Sequence, residues 1–106
     1  MTVTYSSYLH LDELLAAQQP LSQGPEHDEM LFIVIHQVYE LWFKQLLHEA
    51  AHLGAALEQD DLPRVYATLK RFLTILKVQV AQIDILETMS PVSFLSFRER
   101  LDTASG

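Results

Sequence analysis

The residues of this chain best suited to chemistry are a histidine and an arginine set among apolar side chains. His36 lies at helical spacing from Phe32, Tyr39 and Phe43, so a helix would place one imidazole in an aromatic row. Such a slot suits a flat aromatic ligand, with the imidazole hydrogen-bonded to one polar group of that ligand. The alternative interpretation is a core histidine whose ring nitrogens bond to nearby protein groups.

The guanidinium of Arg98 is the second candidate group. Phe94, Arg98, Leu101 and Ser105 share one face at helical spacing. A forked guanidinium on an apolar face suits bidentate binding of a carboxylate. The alternative is a solvated arginine paired with a nearby acidic residue.

A third pattern is His48-Glu49-Ala50-Ala51-His52, which matches the H-E-x-x-H motif of zinc peptidases. There the two histidines bind the metal and the glutamate acts as general base. No third ligand is framed on a following helix, although Glu58 is available, and the sequence predicts no sheet that could hold a peptide substrate. We therefore predict no metal site here and keep a zinc hydrolase as a rival hypothesis.

The remaining polar residues predict no further site. The acidic residues of the first third are expected to be solvated or to lie at helix starts, where negative charge is favourable: Asp12, Glu13, Glu26, Asp28 and Glu29. The three glycines do not cluster, so no glycine-rich phosphate loop is predicted.

The elements that must position these groups are helices. The boundaries predicted within a single domain, 1–106, are an N-terminal arm and loop at 1–26, a central helix at 27–59, a third helix at 61–89 and a short helix at 90–102. Within the arm, the spacing predicts one short helix from Tyr5 to about Gln18, before Pro20. Asp61 ahead of Pro63, and Ser90 ahead of Pro91, are typical of helix starts.

The fold class predicted is all-α, with a long antiparallel helical hairpin and short flanking helices. The central helix is apolar on two faces, which is typical of a helix packed between neighbours. Two helices of roughly 40 Å cannot be covered by one short helix at each end. We therefore expect the chain to be part of a helical oligomer, or a fragment of a larger protein.

Composition excludes several partners. The net charge is −7 and no cluster of lysine or arginine occurs, so we expect no binding to nucleic acid or to an anionic membrane surface. No apolar run is long enough to cross a bilayer, and the first residues do not have the pattern of a signal peptide. Without cysteine, disulfides and thiolate chemistry are excluded. The expected location is the cytoplasm.

The sequence closely resembles the tryptophan 2,3-dioxygenase family over nearly its whole length. The matching segments are 5–12 (YSSYLHLD), 18–22 (QQPLS), 27–32 (HDEMLF), 36–37 (HQ), 40–44 (ELWFK), 86–91 (LETMSP), 97–98 (FR) and 104–106 (ASG). The resemblance implies an all-helical tetramer that uses ferrous b-type haem and dioxygen to open the indole ring of L-tryptophan. The product would be N-formylkynurenine, in the first step of tryptophan catabolism.

The resemblance also implies a role for individual residues. His36 would be the distal, catalytic histidine that hydrogen-bonds the indole N–H, and Arg98 would bind the substrate carboxylate. The indole slot would be lined by Phe32, Phe94 and Leu101, and the haem would lie beside Ser105 and Gly106. The N-terminal arm would be exchanged between subunits, so that Tyr5, Tyr8 and Leu9 close the site of a neighbour.

The proximal haem ligand of the family is a histidine farther along the chain than residue 106. The resemblance therefore implies that these residues form the N-terminal, distal side of the haem site, and that the 106 residues alone are inactive. The alternative is a non-catalytic, truncated helical paralogue that oligomerises or binds an indole compound.

Overall fold

The structure, a computed structural model, describes residues 2–22 and 26–98. The described residues form five helices and no strand: α1 (Tyr5–Leu9), α2 (Leu11–Leu15), α3 (Asp28–Glu58), α4 (Leu62–Leu86) and α5 (Pro91–Arg98). The prediction of an all-α fold is therefore confirmed. None of the described helices is long and apolar enough to span a membrane.

The arm contains two short helices where the sequence predicts one. Thr4 caps α1, since its hydroxyl accepts a hydrogen bond from the backbone N–H of Ser7. His10 then adopts a left-handed conformation with φ of 53° and its N–H bonds back to Ser6 and Ser7 carbonyls. This conformation closes α1 and redirects the chain into α2, because a left-handed residue cannot continue a right-handed helix.

The hairpin of α3 and α4 is the body of the molecule. Asp61 caps α4 by accepting a hydrogen bond from the N–H of Arg64, as its place before Pro63 predicts. Two interhelical contacts show that the helices are antiparallel. The Tyr39 hydroxyl donates to the Gln79 carbonyl at 2.7 Å, and Arg71 lies 3.6 Å from Glu49.

The core between the two long helices is small and partly polar. Its buried apolar side chains are Ile35, Ala56, Val65 and Ile75, and its buried polar side chains include Glu49, Thr68 and Gln79. The radius of gyration is 18.3 Å, whereas a compact domain of this length has about 13 Å. The described chain is thus elongated and has little interior.

Large apolar side chains remain exposed along both long helices. On α4 they include Tyr66, Leu69, Leu73, Leu76, Val80 and Ile83. On α3 the face that carries His36 is also poorly covered, since His36, Phe43 and Leu47 are all exposed. Within this chain, α3 packs mainly against α4 and the shorter α5, and the end of the arm contacts it at Gln37.

Candidate functional site

Three aromatic rings from α3 and α5 form the candidate site. Phe32 and His36 are one helical turn apart, with ring centroids separated by 4.2 Å. Phe94, from α5, places its ring 5.9 Å from that of Phe32 at an interplanar angle of 37°. These separations are typical of attractive, tilted aromatic pairs. The helical spacing of α3 and the packing of α5 thus build one aromatic wall.

This wall borders an open cleft of about 310 Å³. Its lining residues are Phe32, His36, Leu86, Met89, Ser90, Pro91 and Phe94. The volume lies at the lower end of the roughly 300–1,000 Å³ of small-molecule sites. An apolar cleft of this size with one imidazole at its edge suits an aromatic ligand the size of an amino acid.

The hydrogen bond made by His36 determines which of its nitrogens can serve a ligand. Nδ1 lies 2.7 Å from the carbonyl oxygen of Phe32. A carbonyl oxygen only accepts hydrogen bonds, so Nδ1 must carry the proton and donate. In the neutral ring Nε2 then keeps its lone pair. His36 can therefore accept a hydrogen bond from an N–H or O–H group of a ligand.

The start of α5 positions Phe94 and Arg98. Ser90 caps the helix, because its hydroxyl accepts from the N–H of Val92 at 3.2 Å and its carbonyl accepts from the N–H of Phe94 at 3.0 Å. Arg98 is the last residue of α5 and is exposed. Its guanidinium makes no ion pair within the part of the chain that the structure describes.

The arm carries other residues predicted to bind substrate. Tyr5, Tyr8 and Leu9 lie on α1 with exposed fractions of 76%, 73% and 40%. They do not line the cleft beside Phe32, and α1 packs mainly against α2. Leu101, Ser105 and Gly106 fall outside the described residues.

His36 also borders a second cleft, of about 480 Å³, between the end of the arm and α3. A pair of amides joins the two elements there. Gln18 Nε2 donates to Gln37 Oε1 at 2.7 Å, and Gln37 Nε2 donates to the carbonyl of Ala17 at 3.0 Å. Sequence reasoning missed this contact, because Gln37 falls on the polar strip of α3 and its partners lie 19 and 20 residues away.

Glu29 lies in the first turn of α3, as expected for an acidic residue at a helix start, but it is buried and not solvated. Its side chain is 1% exposed and accepts hydrogen bonds from the N–H groups of Leu21 and Ser22 at 2.8 and 2.9 Å. The Ser22 hydroxyl also bonds to it. Glu29 therefore fastens the loop before α3 to the first turn of that helix. Burial of a glutamate this near a helix start has no signature in apolar spacing.

The H-E-x-x-H pattern is divided between two surfaces of α3. His48 and His52 are exposed, whereas Glu49 is buried against α4. Glu49 accepts a hydrogen bond from Gln45 at 2.6 Å and lies 3.6 Å from Arg71. The described residues contain no group of three or more side chains able to hold a metal ion. Glu49 is therefore engaged in helix packing.

The sequence that carries the candidate site is similar to that of a known protein family. The sequence model of the tryptophan 2,3-dioxygenase family matches residues 1–106. The chain belongs to the tryptophan 2,3-dioxygenase family. It is 59% identical over 104 residues to the tryptophan 2,3-dioxygenase of Herpetosiphon aurantiacus, a match that covers 98% of this chain and 40% of that protein. The corresponding identities are 60% for Anaeromyxobacter sp. (strain K) and 50% for Caulobacter vibrioides, with 98% of this chain covered and 38% and 39% of the relatives.

The chain spans about two-fifths of the length of these tryptophan 2,3-dioxygenases. The family resemblance inferred from the motifs is thus confirmed over its full extent, including the segments that carry Phe32, His36 and Phe94.

Proposed function

We propose that this chain forms the substrate-binding side of a haem-dependent dioxygenase that converts L-tryptophan and dioxygen to N-formylkynurenine. The observation that carries the proposal is the 2.7 Å contact between His36 Nδ1 and the Phe32 carbonyl oxygen at the edge of an aromatic cleft, which requires the proton of the neutral ring to lie on Nδ1. The indole N–H of tryptophan is a donor and requires an acceptor. Nε2 of His36 offers that acceptor while Phe32 and Phe94 contact the indole plane.

The register of α5 on α3 supports a role for Arg98 in the same site. Ser90 contacts Asp28 and Phe94 contacts Phe32, so the two helices meet at successive positions four residues apart on each. One further turn in this register brings Arg98 to the level of His36. A guanidinium there would bind the carboxylate of a tryptophan whose indole N–H is bonded to His36.

The described residues fit one side of a haem site. Phe32, Leu86 and Phe94 form an apolar wall, and the cleft that they border is open on its other side. Ser105 and Gly106 are the residues of this chain that would lie against the haem by resemblance. The haem supplies the iron at which dioxygen reacts. The residues of this chain orient the indole by one hydrogen bond and by contact with two aromatic rings, and His36 polarises the indole N–H.

The overall reaction is balanced without a further reductant. The C2–C3 bond of the indole breaks and each of its carbons gains one oxygen atom, so both atoms of dioxygen are retained in N-formylkynurenine. Positioning the indole is the contribution that this chain can make to the rate.

The test of the proposal is a comparison of two substrates in the haem-loaded protein, expressed at the full length that its gene encodes. L-tryptophan should be converted to a product heavier by one dioxygen, detected by mass spectrometry. 1-Methyl-L-tryptophan lacks the indole N–H and should react more slowly. His36→Ala should reduce this discrimination by roughly fivefold, since a single hydrogen bond contributes about 1 kcal/mol. Absence of any tryptophan-dependent dioxygen uptake by the wild type would refute the proposal.

Arg98 is tested separately with a substrate that lacks its partner. Arg98→Ala should weaken the binding of L-tryptophan by about 2–4 kcal/mol, as expected for a charged hydrogen bond that the bound ligand shields from water. Tryptamine has no carboxylate, so its binding should change little. If both ligands are weakened equally, Arg98 acts on the fold of the site and not on the carboxylate.

The assembly proposed is a homotetramer in which the arm of one subunit reaches the site of another. Its support is the exposure of Tyr5 and Tyr8 on α1, together with the apolar rows left uncovered on α3 and α4. Removing residues 1–9 should lower activity. Far-UV circular dichroism should show that the long helices remain, and sedimentation velocity should show that the assembly remains. Full activity after this deletion would exclude a role for the arm in the site.

The non-catalytic alternative, a helical paralogue that oligomerises or binds an indole compound, is supported by the apolar side chains left exposed along α3 and α4. A protein that self-associates and binds an indole compound, yet consumes no dioxygen when loaded with haem, would establish it.

A further inference from the structure

A hydrogen bond between distant parts of the chain joins α3 to the turn before α5. Asp28 lies in the first turn of α3 and is half-buried. Its Oδ2 accepts a hydrogen bond from the backbone N–H of Ser90 at 3.3 Å, across 62 positions of sequence. We propose that Asp28 is a positioning residue for the candidate site, because it sets the place from which α5 begins. This inference rests on the proposed function.

Ser90 is the residue through which such a contact has most effect. As the cap of α5, it holds the N–H of Val92 with its hydroxyl and the N–H of Phe94 with its carbonyl. Its own N–H points away from the helix and needs an acceptor from elsewhere. The Asp28 carboxylate provides that acceptor and also places negative charge near the N-terminus of α5, which the helix dipole favours.

The hydrogen bond and the aromatic contact together determine the orientation of α5. Asp28 and Phe32 are four residues apart on α3, and Ser90 and Phe94 are four residues apart around the start of α5. Two contacts about 6 Å apart along a helix restrict its rotation as well as its position, whereas one contact leaves rotation free. Without the contact at Ser90, α5 is held to α3 chiefly through its apolar side chains.

The consequence for the site is direct, because three of its features depend on α5. Phe94 forms one side of the cleft, Ser90 and Pro91 form its rim, and Arg98 follows one turn after Phe94. A rotation of α5 would move both the ring and the guanidinium relative to His36. Asp28 is not among the residues that line the cleft, and its hydrogen bond reaches the cleft through the backbone of Ser90.

The experiment compares Asp28→Ala with Asp28→Asn. Both variants remove the same negative charge from the first turn of α3, so any loss of helix stability from that charge is shared. Asn keeps an oxygen that can accept from the N–H of Ser90, whereas Ala does not. A difference between the two variants therefore reports the hydrogen bond. Asp84→Ala, on the exposed surface of α4, is the matched control.

Two measurements are made on these variants. In the haem-loaded, full-length protein, Asp28→Ala should raise the KM for L-tryptophan by roughly tenfold with a smaller change in kcat. Asp28→Asn should stay within about threefold of the wild type, and Asp84→Ala should not differ from it. Nuclear Overhauser contacts between the rings of Phe32 and Phe94 should be lost in Asp28→Ala and kept in Asp28→Asn. Far-UV circular dichroism confirms that each variant is folded.

The outcomes separate this inference from the proposed function. Equal KM values for wild type and Asp28→Ala, or equal defects in Ala and Asn, would overturn the positioning role. If Asp28→Ala fails to fold, the result for Asp28→Asn decides. A roughly tenfold rise in its KM together with loss of the contacts between the rings of Phe32 and Phe94 would overturn the positioning role. The ring contacts could depend on the Asp28 acceptor in a protein that does not oxidise tryptophan. That result would refute the proposed function but would still support the role of Asp28 in positioning α5.

Discussion

Replacement of Glu29 by alanine should destabilise the start of α3 and release the loop that precedes it. The carboxylate is 1% exposed and accepts from the N–H groups of Leu21 and Ser22 at 2.8 and 2.9 Å. Hydrogen bonds to charged groups contribute about 1.5–3 kcal/mol each. The lower value applies to the hydrogen bond from Leu21, since Leu21 is 58% exposed and water can replace part of the contact. The expected loss in the free energy of unfolding is about 3 kcal/mol.

The assay is thermal denaturation followed by far-UV circular dichroism. A change of about 3 kcal/mol should lower the melting temperature by roughly 12 °C or more in a domain of this size. Glu29→Gln retains one acceptor oxygen and should lose about half as much, because its amide group meets a second donor. Glu58→Ala, an exposed glutamate at the other end of α3, should change stability by less than about 0.5 kcal/mol. If Glu29→Ala unfolds with the same midpoint as Glu58→Ala, the buried carboxylate does not hold the loop.

Three further predictions concern the joints of the hairpin and the arm. Tyr39→Phe removes the hydroxyl that donates to the Gln79 carbonyl at 2.7 Å. The free energy of unfolding, measured by urea denaturation, should fall by about 0.5–1.5 kcal/mol, and no change would mean that water replaces the bond. Ala56→Leu adds three carbons at a fully buried position and should lower the free energy of unfolding by about 1–3 kcal/mol. Ala51→Leu, on the exposed face of α3, should be nearly neutral, and equal urea midpoints for the two variants would refute close packing at Ala56. Gln37→Ala should increase proteolysis of the arm more than Gln18→Ala, because it also removes the bond to the Ala17 carbonyl, and the double variant should show less than the sum of the two effects because both lose the bond between Gln18 and Gln37. Additive effects would show that the two residues act independently.

The long helices and the cap of α4 could be predicted from sequence, because each depends on local chemistry. Apolar spacing locates α3 and α4, and the position of Asp61 before Pro63 locates the start of α4. The division of the arm at His10 could not be predicted in this way. A left-handed residue is usually signalled by glycine or asparagine, and histidine at that position gives no such signal.

The candidate site was predictable in part for the same reason. Helical spacing places His36 beside Phe32, which the structure confirms with a ring separation of 4.2 Å. The approach of Phe94 depends on how α5 returns to α3 after more than fifty residues, and only the family resemblance pointed to it. The burial of Glu29 depends likewise on loop placement. The periodicity of apolar residues indicates on which face of its own helix a residue lies, but it does not indicate which other element covers that face.

The geometry of the hairpin relates the uncovered apolar faces to the candidate site. On α4, the exposed row that contains Leu76 and Val80 follows the buried residues Ile75 and Gln79 by one position. On α3, His36 likewise follows the buried Ile35 by one position. A step of one residue rotates the side chain by about 100°, and in an antiparallel pair this step leads to the same side of both helices. The exposed apolar row of α4 and the imidazole of His36 therefore face the same side of the hairpin. A chain segment that packed against that row near Val80 would also enclose His36, so burial of apolar surface and exclusion of water from the imidazole would occur in a single step.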